Sequence, residues 1–372
     1  MKTYKFKLYK HKRNRYLKRT INAAASIWNH CIALHKRYYL MFGKHLNKFQ
    51  LMKHVAKLRN KNSYWQLVDA QAVQDISDRI DKSYQLFFKH HSKGVRPPSF
   101  CKSKKYRSFT LKQTGYKLIG DKIRLGKKIY GYHKSRDIEG KIKTLTVKRV
   151  ATGDLYIFIV TDAVGESIAP VTSKIAGFDF GLKTFLTNSN GDDIKSPQFL
   201  LKAKKEVRKL SQQLSSKRLG SNNSNKARIK LAKLYQRIVN QRRDWFWKLS
   251  QQLCDTYDVL CFETLNLKGM QRLWGRKIGD LAFSSFLEIL QTVAAIKGKQ
   301  VVFIEQWFAS SKLCSNCGYK HQELQLRDRH WDCPSCGTSH DRDKNAALNI
   351  EREGASSLNL DTVRQPLVAS VA

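Results

Sequence analysis

The chain has 372 residues and a mass of 43.1 kDa, enough for two or three domains, and its hydrophobic content of 41% is ordinary for a globular protein. Its 70 lysines and arginines against 29 acidic residues give a formal net charge of +41, far more than solubility requires. The composition excludes a largely disordered chain and predicts a nucleic-acid partner. A heteroduplex of ~20 bp carries roughly 40 phosphates, so the excess fits a protein wrapped around a duplex.

The sequence also predicts where the protein acts. We find no apolar run of about 18 residues that would span a bilayer, and the first residues lack the apolar core of a secretory signal. We therefore expect a cytoplasmic, nucleoid-associated prokaryotic protein with no membrane partner. In such a reducing compartment, cysteines spaced in pairs indicate metal binding rather than disulfides.

The sequence pattern of the first half predicts two modules. Residues 3–10, TYKFKLYK, alternate as a half-buried strand does, and short strands return after residue 107. We assign residues 1–20 and 107–165 to a β-barrel-like module and residues 21–106 to a basic helical recognition domain inserted into it. Interleaved basic and aromatic residues favour phosphate contacts and base stacking, without assigning any single nucleic-acid-binding residue. An aromatic core with a solvated lysine face is the structural alternative.

The second half alternates strands with helices over residues 170–353, the pattern of an α/β domain. Two basic amphipathic helices within residues 199–256 predict a helical hairpin. The segment DVLCFETLNLKGM, residues 258–270, is expected to be a strand that runs into a loop. Residues 354–372 show no periodicity and are predicted to be a flexible tail. The predicted fold class is therefore multidomain, α/β and α+β.

Four cysteines form two CxxC pairs with fifteen residues between them: Cys314, Cys317, Cys333 and Cys336. Two such knuckles supply the four thiolates of a tetrahedral site, so the pattern predicts one Zn²⁺ in a ribbon over residues 310–340. Four thiolates leave no open position for water, and the zinc would therefore be structural. A redox dithiol or unrelated core cysteines are the alternatives.

Three acidic residues lie where apolar elements begin or end. Asp179 lies within GFDFGLKTF, Glu263 ends a four-residue apolar run, and Asp343 opens the helix KNAALNI. Each has a structural alternative: a turn residue, a loop-facing charge and a helix N-cap, respectively. Together, in a strongly basic protein, they predict convergence on a pair of Mg²⁺ ions for phosphodiester hydrolysis.

Five motifs, GFDFGLKTF, FETLNLKGM, CSNCG, CPSCG and HDRDKNAALNI, resemble in that order the RuvC-type nuclease of the TnpB family. This transposon-encoded family is also called the OrfB transposase of IS200/IS605-type elements, and it is ancestral to type V CRISPR effectors. The resemblance covers residues 175–353 with specific motifs, and the first half in layout only. It implies a RuvC-like (RNase H-like) nuclease domain with a zinc-ribbon insertion.

The resemblance further implies that Asp179, Glu263 and Asp343 are the catalytic carboxylates that bind Mg²⁺, and that the four cysteines bind zinc. We prefer Asp343 over Asp341 because the family's third carboxylate directly precedes the helix. Asp341 is the fallback. This sequence has the family's residue at each of these positions. That counts against the possibility that the protein is a relative that has lost nuclease activity. The ribbon would act as a clamp that fixes Asp343 and holds the strand being cut.

The implied function is that of a transposon-encoded, RNA-guided DNA endonuclease. A guide RNA from the transposon end would pair with double-stranded target DNA beside a short flanking motif. The cofactors would be two catalytic Mg²⁺ ions and one structural Zn²⁺. The rival functions are an unguided RuvC-like nuclease or resolvase and a DNA-binding accessory or regulator of transposition without catalysis.

Overall fold

The protein is mixed α/β and multidomain, and its computed structural model describes residues 1–163, 174–325 and 327–358. The chain divides into two compact units, Met1–Val164 and Gly165–Ala372. The helices and strands of the first unit are β1 (Lys2–Lys7), α1 (Asn14–Phe42), α2 (Lys48–Lys61), α3 (Ala70–His90), β2 (Ser108–Leu111), β3 (Tyr116–Ile119), β4 (Lys122–Leu125), β5 (Lys128–Gly131), β6 (Ile142–Arg149) and β7 (Leu155–Thr161).

Two antiparallel sheets form the β part of the first unit. One has the strand order β1-β7-β6-β2 and the other the order β3-β4-β5. β1 thus pairs with the last strand of the unit, and the helices α1 to α3 interrupt the sheet in sequence. A bridge between Leu8 and Tyr132, just beyond β1 and β5, links the two sheets.

A buried histidine lies at the centre of the helical region. His35 of α1 is 4% exposed, and its Nε2 has no hydrogen-bond partner among the described residues. Its ring lies 4.9 Å from that of His45 and 4.6 Å from that of Tyr84 on α3. Burial, followed by the charge of His45, lowers the pKa of His35 to about 4. The packed state therefore holds this histidine neutral.

We expect the first unit to lose stability as the pH falls through about 6.5 towards 4. His35 has its higher pKa, 6.5, in the unfolded chain, so the unfolded chain binds the proton more readily than the folded one. Protonation therefore favours unfolding between pH 6.5 and pH 4, and the contribution of neutral His35 to stability is fully present above that range. The loss amounts to about 2 kcal/mol between pH 7 and pH 5. Urea unfolding at both pH values measures it. His35→Phe should flatten this dependence, and His91→Phe, at an exposed position, should leave it unchanged.

Among the described residues, the second unit contains six helices and seven strands. They are β8 (Ile175–Asp179), β9 (Leu186–Asn188), β10 (Asp193–Ile194), α4 (Phe199–Lys202), α5 (Lys204–Ser215), α6 (Asn222–Thr256), β11 (Val259–Glu263), α7 (Leu267–Leu281), α8 (Phe283–Lys297), β12 (Gln300–Ile304), β13 (His330–Asp332), β14 (Ser339–Asp341) and α9 (Arg342–Ser357).

A five-stranded sheet of order β10-β9-β8-β11-β12 organises the second unit. β8, β11 and β12 are parallel, and β9 is antiparallel to both of its neighbours. Alternate residues of β11 point to opposite faces. Leu260 and Phe262 join the core formed with α6 and α8, whereas Val259 and Cys261 pack with Ile350 of α9. The sheet therefore lies between α6 and α8 on one face and α9 on the other.

The close packing of α9 on β8 depends on a glycine. A Cβ atom at Gly177 would lie 2.0 Å from the carbonyl oxygen of Ala347 and 2.4 Å from the amide nitrogen of Glu351. Any larger residue would push the helix away from the strand. Gly177 thus allows the start of α9 to approach the edge of the sheet where β8 ends.

Two predictions for the second unit are wrong. The loop expected after β11 is helical from Leu267, because the Asn266 side chain accepts a hydrogen bond from the amide of Gly269 at 3.0 Å and caps α7. Residues 354–357, expected in a tail, belong to α9, where Gly354 and Ala355 are buried. Residues 359–372 of that tail, and residues 164–173 between the predicted domains, lie outside the described residues.

One stretch, Lys277–Lys297, passes the length and hydropathy criteria for a membrane span, contrary to the expectation from the sequence. The backbone of Ala282 interrupts it in the left-handed region, with φ of 50°. Phe283, Phe286 and Leu290 of α8 are at most 1% exposed and pack in the core of the second unit. The apolar character of this stretch is therefore explained by core packing.

Candidate metal centres and nucleic-acid site

The first two predicted carboxylates lie side by side at one edge of the sheet. Asp179 ends β8 and Glu263 ends β11, and the residues before them, Phe178 and Phe262, pair in the parallel ladder. Neighbouring strands lie about 4.8 Å apart. Because both phenylalanines point into the core with α6 and α8, the carboxylates point to the opposite face, where α9 packs.

The third carboxylate comes from the first turn of α9. Asp341 is the N-cap of this helix, and its Oδ1 accepts hydrogen bonds from the amides of Asp343 at 3.1 Å and Lys344 at 2.9 Å. Asp341 therefore fills the capping role that the sequence offered as the alternative for Asp343. The carboxylate of Asp343 is left to face its neighbours, close enough to Asp179 to affect its titration.

The three carboxylates repel one another. Burial, then the negative charges of Glu263 and Asp343, raise the pKa of Asp179 well above its usual range, while Arg342 acts in the opposite direction. Burial also raises the pKa of Glu263. Carboxylate oxygens are the ligands that a hard divalent cation such as Mg²⁺ prefers, and such an ion would offset the remaining negative charge. These residues are thus chemically suited to hold the predicted metal.

Arg329 also belongs to this site, although no sequence motif selects it. Its Nη1 donates to both oxygens of Asp343, at 3.0 and 3.1 Å. Arg329 lies between the two cysteine pairs, fourteen residues before its partner. Among 70 basic residues no local signal marks it, and only the fold of the ribbon brings its guanidinium to the carboxylate.

The four cysteines converge as predicted. Their sulfur atoms all lie within 4.8 Å of one another, with Sγ–Sγ distances of 3.7 Å between Cys314 and Cys336 and 3.6 Å between Cys317 and Cys333. Tetrahedral zinc with Zn–S bonds of about 2.3 Å places its sulfurs about 3.8 Å apart, so the cluster fits this ion. The two-stranded β13–β14 hairpin completes the arrangement, which is consistent with a zinc ribbon.

Hydrogen bonds connect the first cysteine knuckle to α9. Asn345 Oδ1 accepts from the amide of Ser315 at 2.9 Å, and Asn345 Nδ2 donates to the carbonyl of Leu313 at 2.7 Å. One turn later, Asn349 Nδ2 donates to the carbonyls of Ser310 and Leu313 at 2.8 and 2.6 Å. Both asparagines are at most 2% exposed, so these bonds are costly to leave unmade. The ribbon is thereby attached to the helix that carries Asp343.

The helices α5 and α6 carry much of the positive charge of the second unit. Together they contain twelve lysines and arginines against three acidic residues, and most of the basic side chains are exposed. Lysine and arginine contacts to phosphate give affinity for nucleic acid without sequence preference. This basic pair of helices is a candidate surface for the nucleic acid that the composition predicts.

Two family descriptions match this unit and divide the candidate site between them. Residues 160–273, with Asp179 and Glu263, match "Probable transposase" of the OrfB_IS605 type, and residues 283–350, with Asp343 and the four cysteines, match "Cas12f1-like, TNB domain". A "Putative RNA-guided DNA endonuclease" of Streptomyces pristinaespiralis is 33% identical over 58% of this chain and 53% of its own length. The chain spans about half the length of the first curated relatives that it matches.

A longer match and a solved structure agree with this grouping. The "Putative RNA-guided DNA endonuclease InsQ" of Escherichia coli K12 is 24% identical over 92% of this chain and 89% of its own length. The fold is similar to a chain of the Cas12f1-sgRNA-target DNA complex, with a TM-score of 0.57, 15% identity and coverage of 92% of this chain and 83% of that one. These matches group the chain with TnpB-like (OrfB, IS605-type) proteins, and residues 283–350 with Cas12f-like TNB domains.

Proposed function

We propose that this protein is a transposon-encoded, RNA-guided DNA endonuclease that cuts target DNA at a RuvC-type site formed by Asp179, Glu263 and Asp343. The observation that supports the proposal is that Asp179 and Glu263 end two paired parallel strands, and that Glu263 and Asp343 are both close enough to raise the pKa of Asp179. In a protein with a net charge of +41, such a cluster is suited to phosphodiester hydrolysis rather than to surface solubility.

The three carboxylates would hold two Mg²⁺ ions, which supply activation of water and stabilisation of the leaving oxygen. Asp341 contributes by starting α9, because its cap fixes the turn on which Asp343 lies. Arg329 brings a positive charge to the same edge, where a scissile phosphate would bind. The cysteines would hold one structural Zn²⁺ that keeps Arg329 and α9 in place.

The partners would be a guide RNA derived from the end of the transposon and double-stranded DNA with a short motif beside the target. Pairing with the guide would then supply sequence specificity, while the protein would contact backbone and duplex shape through its basic surfaces. The relatives described as RNA-guided DNA endonucleases and the exposed cations of α5 and α6 support this assignment. We place its action in the cytoplasm, on nucleoid DNA.

The test is to purify the protein from cells that carry its native locus and to sequence the RNA that remains bound after a high-salt wash. We expect one dominant RNA that maps to the end of the element and continues into flanking sequence. Reprogramming that flanking part should redirect Mg²⁺-dependent cutting to a matching DNA.

Three other results would each change the assignment. Cutting without any RNA requirement would indicate an unguided nuclease or resolvase, and structured DNA would be tried next. Binding of DNA without cutting in Mg²⁺ would indicate an accessory protein or regulator of transposition. Heterogeneous RNA fragments with no guided cutting would contradict the proposal that the protein uses a guide RNA.

A further inference from the structure

A cavity of about 720 Å³ lies in the second unit beside the carboxylate edge, and no part of the proposed reaction yet uses it. Its apolar walls include Leu182, Leu201 and Val207, and its rim includes Tyr235. Pockets that bind small molecules typically have volumes of about 300–1,000 Å³ and are mostly apolar with a few polar groups. The cavity has the size and lining of a ligand site.

The topology of the sheet places this cavity close to the carboxylates. Leu182 lies three residues after Asp179, so their Cα atoms are at most about 11 Å apart. β10 runs parallel to β8, since β9 is antiparallel to both, and its end at Ile194 leads to the lining residue Gln198. The loops after β8 and β10 both leave the sheet at the edge where the carboxylates lie.

The electrostatics of the rim favour an anion. Lys204, Arg208 and Lys277 line the cavity, and none of them forms an ion pair within 4 Å in the described part of the chain. The one acidic lining residue, Asp280, is engaged elsewhere, because its two oxygens accept hydrogen bonds from the amides of Leu200 and Leu201, both at 3.0 Å. The cavity lining therefore contains three cations, and its one carboxylate is already hydrogen-bonded to backbone amides.

The aromatic and apolar groups favour a flat ligand. Tyr235 on α6 and Leu201 on α4 both line the cavity and are 43% and 55% exposed, respectively. An aromatic ring beside cations is the combination with which proteins bind unstacked nucleotides, the ring stacking on the base and the cations contacting the phosphates. A hydrocarbon ligand would leave the cations without a partner.

The backbone around the cavity is strained. Gln198 and Ala282, with φ of 53° and 50°, are the two non-glycine residues with positive φ among those described. Gln198 lines the cavity, and Ala282 follows the lining residue Leu281. Arg242 donates to the carbonyls of Gly279 and Asp280, at 2.7 and 2.9 Å, and holds this end of α7 in place. Strain of this kind persists where surrounding contacts enforce it, often at binding sites.

We infer that this cavity is a subsite for one unstacked nucleotide of the DNA strand that is being cut. The inference rests on the proposed nuclease function and extends it by assigning a second contact to the substrate strand. The Cα of Leu182, one lining residue, lies at most about 11 Å from that of Asp179, and the rise along a stacked strand is 3.4 Å per nucleotide, so the near end of the subsite lies within about three nucleotides of the carboxylates. The base would stack on Tyr235, and Lys204, Arg208 and Lys277 would bind its phosphates.

The experiment uses full-length Asp179→Ala protein with its guide RNA and target DNA that carries 5-iodouracil at single positions on either strand. Irradiation followed by mass spectrometry identifies the side chain that crosslinks to the base. We expect a crosslink to Tyr235 from one or two positions within about three nucleotides of the bond that the wild-type protein cuts. Val207→Trp, which fills the cavity, should reduce its yield at least tenfold.

The matched control is Val239→Trp, which adds the same bulk on α6 outside the cavity lining, at a position that is 40% exposed. It should leave the crosslink unchanged, and thermal melting of both variants shows whether they fold. Absence of a crosslink at Tyr235 from every labelled position, while the wild-type protein cuts the same DNA, would refute the subsite but not the nuclease. Absence of guided cutting by the wild-type protein would refute the proposed function and the subsite with it.

Discussion

Replacing Asp179 by alanine is expected to reduce DNA cutting by at least about 10³-fold while leaving binding of the guide RNA intact. Bound metal ions supply several kcal/mol of transition-state stabilisation, and each 1.36 kcal/mol corresponds to a factor of ten in rate. Burial and the negative charges of Glu263 and Asp343 raise the pKa of Asp179, so this residue is closely linked to the other two. Single-turnover cutting with Mg²⁺, together with filter binding of labelled guide RNA, measures the two effects.

The control for this substitution is Asp244→Ala, which removes an exposed carboxylate of the same unit that pairs only with Lys248 at 2.8 Å. It should cut at close to the wild-type rate, because exposed ion pairs contribute little. Asp343→Ala should behave as Asp179→Ala does. If Asp179→Ala lost RNA binding together with cutting, the assignment of a purely catalytic role would be wrong.

Replacing Cys333 and Cys336 by serine is expected to reduce the zinc content from about one ion per chain to near zero and to slow cutting at least about 10²-fold. Structural zinc contributes about 10–16 kcal/mol of apparent binding free energy in small zinc domains, so the ribbon should lose its fold without it. The bonds from Asn345 and Asn349 then lose their partners on the knuckle. A displacement of about 1 Å at a catalytic group costs on the order of 10²-fold in rate.

Metal analysis, thermal melting with and without a chelator, and single-turnover cutting provide the measurements. Cys101→Ser is the matched control, because it makes the same chemical change in the first unit, away from the cysteine cluster. A soluble, folded double variant that cuts at the wild-type rate would show that the ribbon does not position Asp343. In that case its attachment to α9 would have only a stabilising role.

The local pattern of the sequence was sufficient for elements whose residues alternate or repeat clearly. TYKFKLYK predicted a strand, and β1 occupies Lys2–Lys7. The spacing of the cysteine pairs predicted their convergence, since each knuckle is formed by neighbouring residues. The strand and each separate knuckle are thus determined by neighbouring residues, and the regular spacing of the two pairs indicates that they meet.

Local pattern failed where distant contacts decide the structure. The sequence predicts a loop after β11 within residues 258–270, but α7 begins at Leu267, although Gly269, Gly275 and Gly279 lower its helix propensity. Its position in the structure is fixed instead by the Asn266 cap and by the bonds between Arg242 and the end of the helix. Tertiary contacts here outweigh propensity.

In the candidate site, too, some features follow from local sequence and others only from the fold. Motif spacing predicted the three carboxylates, and that prediction remains to be tested. It did not show whether Asp341 or Asp343 caps α9, which the backbone angles and the Asp341 hydrogen bonds show. Arg329 reaches Asp343 through the fold of the ribbon, and the cavity beside the carboxylates is assembled from four separate segments. No local sequence window contains that information.

The pairing of β1 with β7 also affects the way the chain folds as it is made. Lys2 pairs with Thr161, so β1 leaves the ribosome long before its partner strand, which is among the last residues of the unit. At synthesis rates of about 5–20 residues per second, the edge of β1 waits roughly 10–30 s for that partner. During this interval the apolar side chains of Tyr4 and Phe6, at most 5% exposed in the folded protein, have no sheet to cover them. The nascent first unit is therefore a natural client for chaperones until Thr161 has emerged.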